Sequence, residues 1–233
     1  KVGLIGYGSS GRSTLYRAAS RGLAKGDVTA VPVPDPRFEA IVAQVKPKKI
    51  TPATVMLHDD LDAAQGSGKT FSQRFLDAAR KMDLLLHVVR AFDSPMAPFH
   101  AEVDPLRDQD SIDGELVLAD LQIVENRLER LEKSLTARAP GQPDYLEKVI
   151  FQNLRGPLED GTPLRALDLD EDAQTVVRNY QFLSAKPMVV AFNVGEADAG
   201  AVPAHLGPRI EALAKKETPA FTVSAPIEEE ISQ

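Results

Sequence analysis

Val2-Gly3-Leu4-Ile5-Gly6-Tyr7-Gly8-Ser9-Ser10-Gly11-Arg12-Ser13-Thr14 stands near the start of the chain, and a helix-like segment from Leu15 to Ala19 follows it. An apolar run, a glycine turn and a helix in that order make a cradle for phosphate. Glycines let backbone N–H groups approach an anion, and the helix adds its unpaired amides and the positive end of its dipole. Two cradles fit the same residues. Read as Gly6-x-Gly8-x-x-Gly11, the stretch is a dinucleotide fingerprint. Asp35, at the end of the extended segment Val28 to Pro34, would then accept a ribose hydroxyl, although it lies a few residues far for that role. Read as Gly6-x4-Gly11-Arg12-Ser13, it is a P-loop with Arg12 in place of the usual Lys and Ser13 offering its hydroxyl to Mg²⁺. A glycine turn needed only for packing is the third reading. The local pattern does not choose among them.

The bulk properties narrow the class. A chain of 233 residues holds one large domain or a domain with an insertion. Its 43% hydrophobic and 26% charged content is that of an ordinary globular protein. A net charge of −7 offers nucleic acid no general attraction, so such a contact would need a local basic patch. The absence of Cys excludes disulfides and thiolate metal sites. With no signal peptide and no apolar run of membrane length, the composition suits a cytoplasmic location. The four histidines, His58, His87, His100 and His205, show no ligand spacing, and His87 inside an apolar run reads as a core residue. Lys1, already at the start of a strand, and Gln233, just after the acidic run Glu228 to Glu230, read as the ends of a fragment.

Further along, Val28 to Pro34 is too rich in Pro for a central strand and reads as an edge or a loop. Phe38 to Val45 has helical spacing, Thr54 to Leu57 reads as a short strand, and Phe71 to Met82 as a helix. Leu84 to Arg90 is the continuous apolar run of a buried parallel strand. From Ser111 the texture changes. Val117, Leu121, Val124, Leu128, Leu131 and Leu135 form a heptad seam, and Tyr145, Leu146, Val149, Ile150 and Leu154 offer an answering stripe after the turn at Ala139 to Pro143. Asp170 is placed to cap a helix through Leu183. Lys186 to Asn193 returns to a buried strand, Arg209 to Lys216 to a helix, and Ala220 to Ala225 to a last strand. The expected fold is α/β, a sheet with helices on both faces. Residues 1–110 and 184–233 form the nucleotide domain, interrupted over 111–183 by an antiparallel coiled-coil insertion.

Several stretches together resemble the YchF family, the Obg-like ATPases. They are Val31 to Arg37, Val45-Lys-Pro through Val55, His87-Val-Val-Arg-Ala-Phe92, Val103 to Leu106, Glu115 to Leu121 with Arg127 to Glu132, Ser184-Ala-Lys-Pro187, Asn193-Val-Gly-Glu196 and Ser224-Ala225. They follow family order and cover nearly the whole chain. The resemblance selects the P-loop and implies a translation-factor-type nucleotide domain interrupted by a coiled-coil hairpin. Family members resemble GTPases and favour ATP, and the ribosome is the implied partner. The family's C-terminal TGS domain has no counterpart in these residues, as in a divergent member or a fragment.

By that resemblance Gly6, Gly8, Ser9, Gly11, Arg12, Ser13 and Thr14 bind phosphate, and Ser13 with Asp59 holds Mg²⁺. Ser9 stands where the family has Asn, which leaves a potassium requirement unsupported. Arg12 stands where the family has Lys, and a planar fork differs from a compact ammonium, so binding is expected to survive better than hydrolysis. The Gly expected three residues after Asp59 is Asp62, whose carboxylate would repel the γ-phosphate. Gly66-Ser-Gly-Lys69-Thr70 looks like a second P-loop but falls where the family has its second switch. Asn193, Val194 and Glu196 match the base-recognition motif, with Val194 in place of Lys, and Ser224-Ala225 match the last base-contacting loop. Gly22 to Val28 is much shorter than the family's first switch. The leading expectation is a purine-nucleotide-binding protein, ATP over GTP, with weak ATPase activity and a switch role at the ribosome. The alternatives are a non-catalytic interaction module with a degenerate nucleotide site and an NAD-binding oxidoreductase.

Overall fold

The structure, a computed structural model, describes residues 1–61, 71–99 and 101–232. Six strands among the described residues form one sheet: β1 (Val2–Ile5), β2 (Val28–Pro32), β3 (Thr54–His58), β4 (Leu84–Ala91), β5 (Met188–Val194) and β6 (Ala220–Val223). Their order across the sheet is β2-β3-β1-β4-β5-β6. Strand β2 runs antiparallel to β3, and every other pairing is parallel. The continuous apolar runs β4 and β5 lie centrally, where both faces are covered, and the Pro-rich β2 takes an edge, where its missing N–H costs no ladder bond.

Side-chain alternation sends each central strand to two cores. Leu85 and Val89 of β4 and Val190, Phe192 and Val194 of β5 pack with Ile5, Phe75 and Leu116. Val88 and Ala191 point to the other face, against Leu15 of α1 (Arg12–Ser20) and Ala225 of α8 (Ala225–Ile231). Arg90 and Asn193 share that second register, which places both beneath the glycine loop.

Helix α2 (Pro36–Val45) is capped by Asp35, whose Oδ1 accepts from the Arg37 N–H at 2.9 Å, and Ser72 caps α3 (Gln73–Arg80) by accepting from Phe75. Helix α4 (Pro105–Lys133) starts earlier than the heptad pattern suggests, because Asp104 caps it by accepting from the Arg107 N–H at 3.0 Å. Ile112 and Leu116 of α4 belong to the sheet core. Val117, Val124 and Leu128 belong to a second core with Ile150, Phe151 and Leu154 of α5 (Pro143–Glu159) and Val177 of α6 (Glu171–Tyr180). Helix α5 doubles back along α4, with Ser134 donating to Asp144 near the turn and Arg127 pairing with Glu147 at 2.6 Å. The seam stops at Leu131: Leu135 lies beyond the helix end and is exposed, and Phe151 rather than Leu146 fills the facing core. Asp170 caps α6 through the Ala173 N–H at 2.8 Å.

The helical segment is fastened to the sheet by a buried carboxylate. Asp120 of α4 accepts from the backbone N–H groups of Leu183 (2.9 Å) and Ser184 (2.6 Å), just before β5. Arg165 adds an ion pair to Asp113 at 2.6 Å. Helix α7 (Gly207–Ala214) precedes β6, and the acidic triplet Glu228 to Glu230 lies within α8 rather than at its first residue. No helix among the described residues is long and apolar enough to cross a membrane.

His87 on β4 is fully buried beside Arg165, and its Nδ1 has no hydrogen-bond partner among the described residues. Desolvation, aided by Arg165, lowers its pKa from 6.5 to about 3. The unfolded chain therefore binds a proton that the folded chain refuses between those values. The stability His87 permits is full above about pH 6.5 and is lost as the pH falls toward about 3. Denaturant unfolding at about pH 5 should give roughly 1–2 kcal/mol less stability from this group than at about pH 7.5. His87→Leu should flatten the difference, and an unchanged pH profile in that variant would assign it elsewhere.

Candidate functional site

The glycine loop crosses from β1 to α1 at the carboxyl end of the sheet, the side where open α/β sheets hold ligands. Gly6 is required by close approach: a Cβ there would lie 2.5 Å from the Val88 carbonyl oxygen. Gly11, the N-cap of α1, has φ +89, and a Cβ would come within 2.1 Å of Asn193 Nδ2. Gly8 has open space around it, so nothing among the described atoms demands glycine there. Ser9 takes the left-handed conformation at φ 62 without being glycine. Ser13 is exposed, Thr14 half-buried, and Ser10 buried with its Oγ unpartnered among the described residues.

Asn193, the buried next-to-last residue of β5, joins the site together. Its Nδ2 donates to the Ser10 carbonyl at 2.9 Å, and its Oδ1 accepts from the Ala225 N–H at 2.9 Å. One amide thereby fastens the phosphate loop to the Ser224-Ala225 loop, with Ala225 itself buried and the Ser224 Oγ buried and unpartnered. Val194, one residue on, faces the opposite core, as alternation requires, and also borders a cleft. That cleft, about 270 Å³, is walled by Phe92, Asp93, Ser94, Val194, Gly195, Glu196 and Pro226. Glu196 is exposed at its rim.

Arg90 is the residue the motif reading leaves without a role. It is 2% exposed and, among the described residues, meets no carboxylate at hydrogen-bond distance; its guanidinium donates to the carbonyls of Phe92 (3.0 Å), Ser9 (3.1 Å) and Ala97 (2.8 Å). Phe92 and Phe99 present their ring faces at 4.4 and 4.8 Å. Burial lowers its pKa from the usual guanidinium value, with Asp93 acting in the opposite direction. Arg90 therefore ties the phosphate loop to the wall of the cleft. The only sequence signal for this was a cation inside an apolar strand beside an aromatic residue.

Asp59 and Arg12 meet. Arg12 Nε lies 2.7 Å from Asp59 Oδ1, with side chains only 14% and 8% exposed, in an ion pair that lacks hydrogen-bond geometry. Among the described residues Arg12 Nη1 is buried without an acceptor. The backbone N–H of Asp59 donates to the Asp27 carbonyl at 2.7 Å, so the short connection after α1 lies against it. Tyr16 pins that connection by donating to the Gly26 carbonyl at 2.7 Å. While Arg12 holds the Asp59 carboxylate, Ser13 and Asp59 do not fit as a ready Mg²⁺ pair. No cluster of three or more His, Asp or Glu side chains suited to a metal occurs among the described residues. Asp62 and the Gly66 to Thr70 stretch lie outside the described residues.

The dinucleotide reading fails on topology. Asp35 spends its carboxylate on capping α2, and β3 lies between β1 and β2, whereas a dinucleotide fold sets β2 beside β1 in parallel.

Strand order, the antiparallel β2 and the glycine turn entering α1 define a P-loop NTPase fold of GTPase-like topology. Across its whole length the chain is 31% identical to the ribosome-binding ATPase YchF of Pasteurella multocida, covering 67% of that relative, and 30% identical with the same coverage to the ribosome-binding ATPase YchF of Bacillus subtilis. The chain belongs to the YchF family. The Obg-like ATPase 1 of Oryza sativa subsp. japonica is 30% identical over 85% of this chain and 53% of its own. Among solved structures, the Schizosaccharomyces pombe YchF GTPase superposes with a TM-score of 0.84 at 26% identity, over all of this chain and 67% of that one. No family model matches the chain.

Asn193→Ala would leave the Ser10 carbonyl and the Ala225 N–H buried and unpaired. The expected cost is about 2–4 kcal/mol of unfolding free energy. Urea denaturation checks it, and a loss below about 0.5 kcal/mol would mean that water replaces the amide.

Proposed function

We propose that the chain binds a purine nucleoside triphosphate, ATP in preference to GTP, with phosphates over Gly6 to Thr14 and the base in the cleft between Phe92 and Glu196. The observation that carries the reading is the Asn193 amide, which holds the phosphate loop and the Ser224-Ala225 loop in one frame beside that cleft. At about 270 Å³ the cleft falls just below the usual range for whole small ligands, roughly 300–1,000 Å³, which suits a base rather than an entire nucleotide. Phe92 and Pro226 supply apolar contact for a ring face. A GTPase-type Lys would pack on the base, and Val194 cannot reproduce that contact, so guanine loses one of its selecting interactions.

The relatives are named ribosome-binding ATPases, and we extend to this chain a role as a slow nucleotide-dependent switch at the ribosome. Residues 1–110 and 184–233 then carry the nucleotide, and 111–183 is the insertion that presents a surface to the partner. P-loop ATPases and GTPases generally use Mg²⁺ to neutralise phosphate charge. Ser13 and Asp59 would hold that ion only with Arg12 displaced from the carboxylate. Chemistry in such sites is mostly positioning and charge stabilisation, and an Arg12 held by Asp59 is not free to follow charge as it develops in the transition state. Hydrolysis is therefore slow. The same ion pair favours a second reading, in which the nucleotide site keeps its shape without turning over and the helical segment is the working surface.

Calorimetric titration with ATP, GTP and NAD tests the reading. ATP should bind more tightly than GTP, and NAD should give no heat. Silence from all three on folded protein would leave the interaction module. If the position of Arg12 limits hydrolysis, Arg12→Lys should raise kcat by roughly tenfold or more, which is about 1.4 kcal/mol of barrier. An unchanged kcat in a variant that binds ATP would remove Arg12 as the cause.

A further inference from the structure

We infer that Arg12 stands in for the divalent cation at this site, so that the chain takes up its nucleotide as a metal-free anion; the inference rests on the nucleotide reading above. In the usual arrangement of such sites a Lys meets the phosphates, while a carboxylate and a hydroxyl hold Mg²⁺ against them. Two positive groups then share the phosphate charge. Here one side chain would serve both places. Its Nε sits 2.7 Å from Asp59 Oδ1, where the metal-holding carboxylate is expected, and Arg12 itself is the first residue of α1, directly after Gly11 of the phosphate loop.

The guanidinium has donors to spare. It carries five N–H bonds in a rigid fork. Nε faces Asp59, while Nη1 is buried with no acceptor among the described residues. A buried donor without a partner is costly, and a phosphate oxygen is the acceptor this loop is shaped to bring. A fork that holds a carboxylate at one edge and a phosphate at another bridges the two anions as the metal would. It also keeps the metal away. A divalent cation at Asp59 would meet a carboxylate already neutralised, beside a fixed positive charge, and Mg²⁺ gives up its water reluctantly. Lysine lacks the fork: its compact ammonium cannot hold both partners at such separate points, so it would release Asp59 to the metal when phosphate arrives.

The test is calorimetric titration of the full chain with ATP, once in excess Mg²⁺ and once in EDTA, for the wild type and for Arg12→Lys. The wild type should bind ATP in EDTA at least as tightly as in Mg²⁺, within about threefold, whereas Arg12→Lys should lose about tenfold or more when the metal is removed. A second readout uses Mn²⁺ as the probe. Its paramagnetic resonance spectrum with ATP should be altered by protein coordination in Arg12→Lys and match Mn²⁺–ATP alone in the wild type. Wild-type binding that collapses in EDTA overturns the inference and leaves the nucleotide reading standing. Metal-independent binding in both proteins overturns the assignment to Arg12. No ATP binding under either condition overturns the nucleotide reading and this inference with it.

Discussion

The site depends on one buried amide. Asn193 spends Nδ2 on the Ser10 carbonyl and Oδ1 on the Ala225 N–H, and in doing so holds together chain segments that are far apart in sequence. Neither bond is strong against water. Buried, however, each partner has no water to return to, so the alternative to the bond is an orphaned backbone group. The same constraint explains Gly11, because any Cβ there would collide with the amide that makes the bridge. A loop free to open would present its N–H groups in many arrangements. Clamped, it presents one.

Arg90 repeats the device with a charge. A buried guanidinium is expensive, and this one is satisfied by main-chain carbonyls and two aromatic faces rather than by a carboxylate. Among the described residues no carboxylate pairs with it at hydrogen-bond distance, although Asp93 acts on it from further away, and its donors set the distance between the phosphate loop and the cleft wall. Arg12 behaves differently. It pairs with Asp59 at 2.7 Å, whereas Arg90, among the described residues, meets only carbonyls and ring faces at close range. That contrast underlies both the slow hydrolysis proposed for the site and the metal-free uptake inferred from it.

The helical segment leaves the sheet after β4 and returns to it at β5, the adjacent strand. Helix α4 contributes to both cores, Ile112 and Leu116 to one and Val117 onward to the other, so the two share a continuous rod. Asp120 then pins the return point at Leu183 and Ser184. Strand β5 begins shortly after that point, at Met188, and runs through Asn193 to Val194, so one seven-residue strand connects the anchored end of the helical segment with the amide at the site.

Much of this was legible from the sequence alone. The strand-glycine-helix order, the buried runs of β4 and β5, the edge character of β2 and the seam from Val117 to Leu131 are local patterns, set by hydrophobic period and by what Gly and Pro permit. Two equivalent phosphate cradles could not be separated that way, because glycine spacing says nothing about which strand lies beside β1. Sheet order decided between them: β3 fills that place, and Asp35 caps a helix instead of meeting a ribose. Nor could the sequence show that Arg12 meets Asp59, that Arg90 lies under Ser9, or that Leu135 escapes the seam while Phe151 enters it. Those are contacts between segments distant in the chain. Residue type restricts what each side chain can do, but only the packed sheet, by bringing the carboxyl ends of β1, β3, β4 and β5 together, determines which partner each one finds.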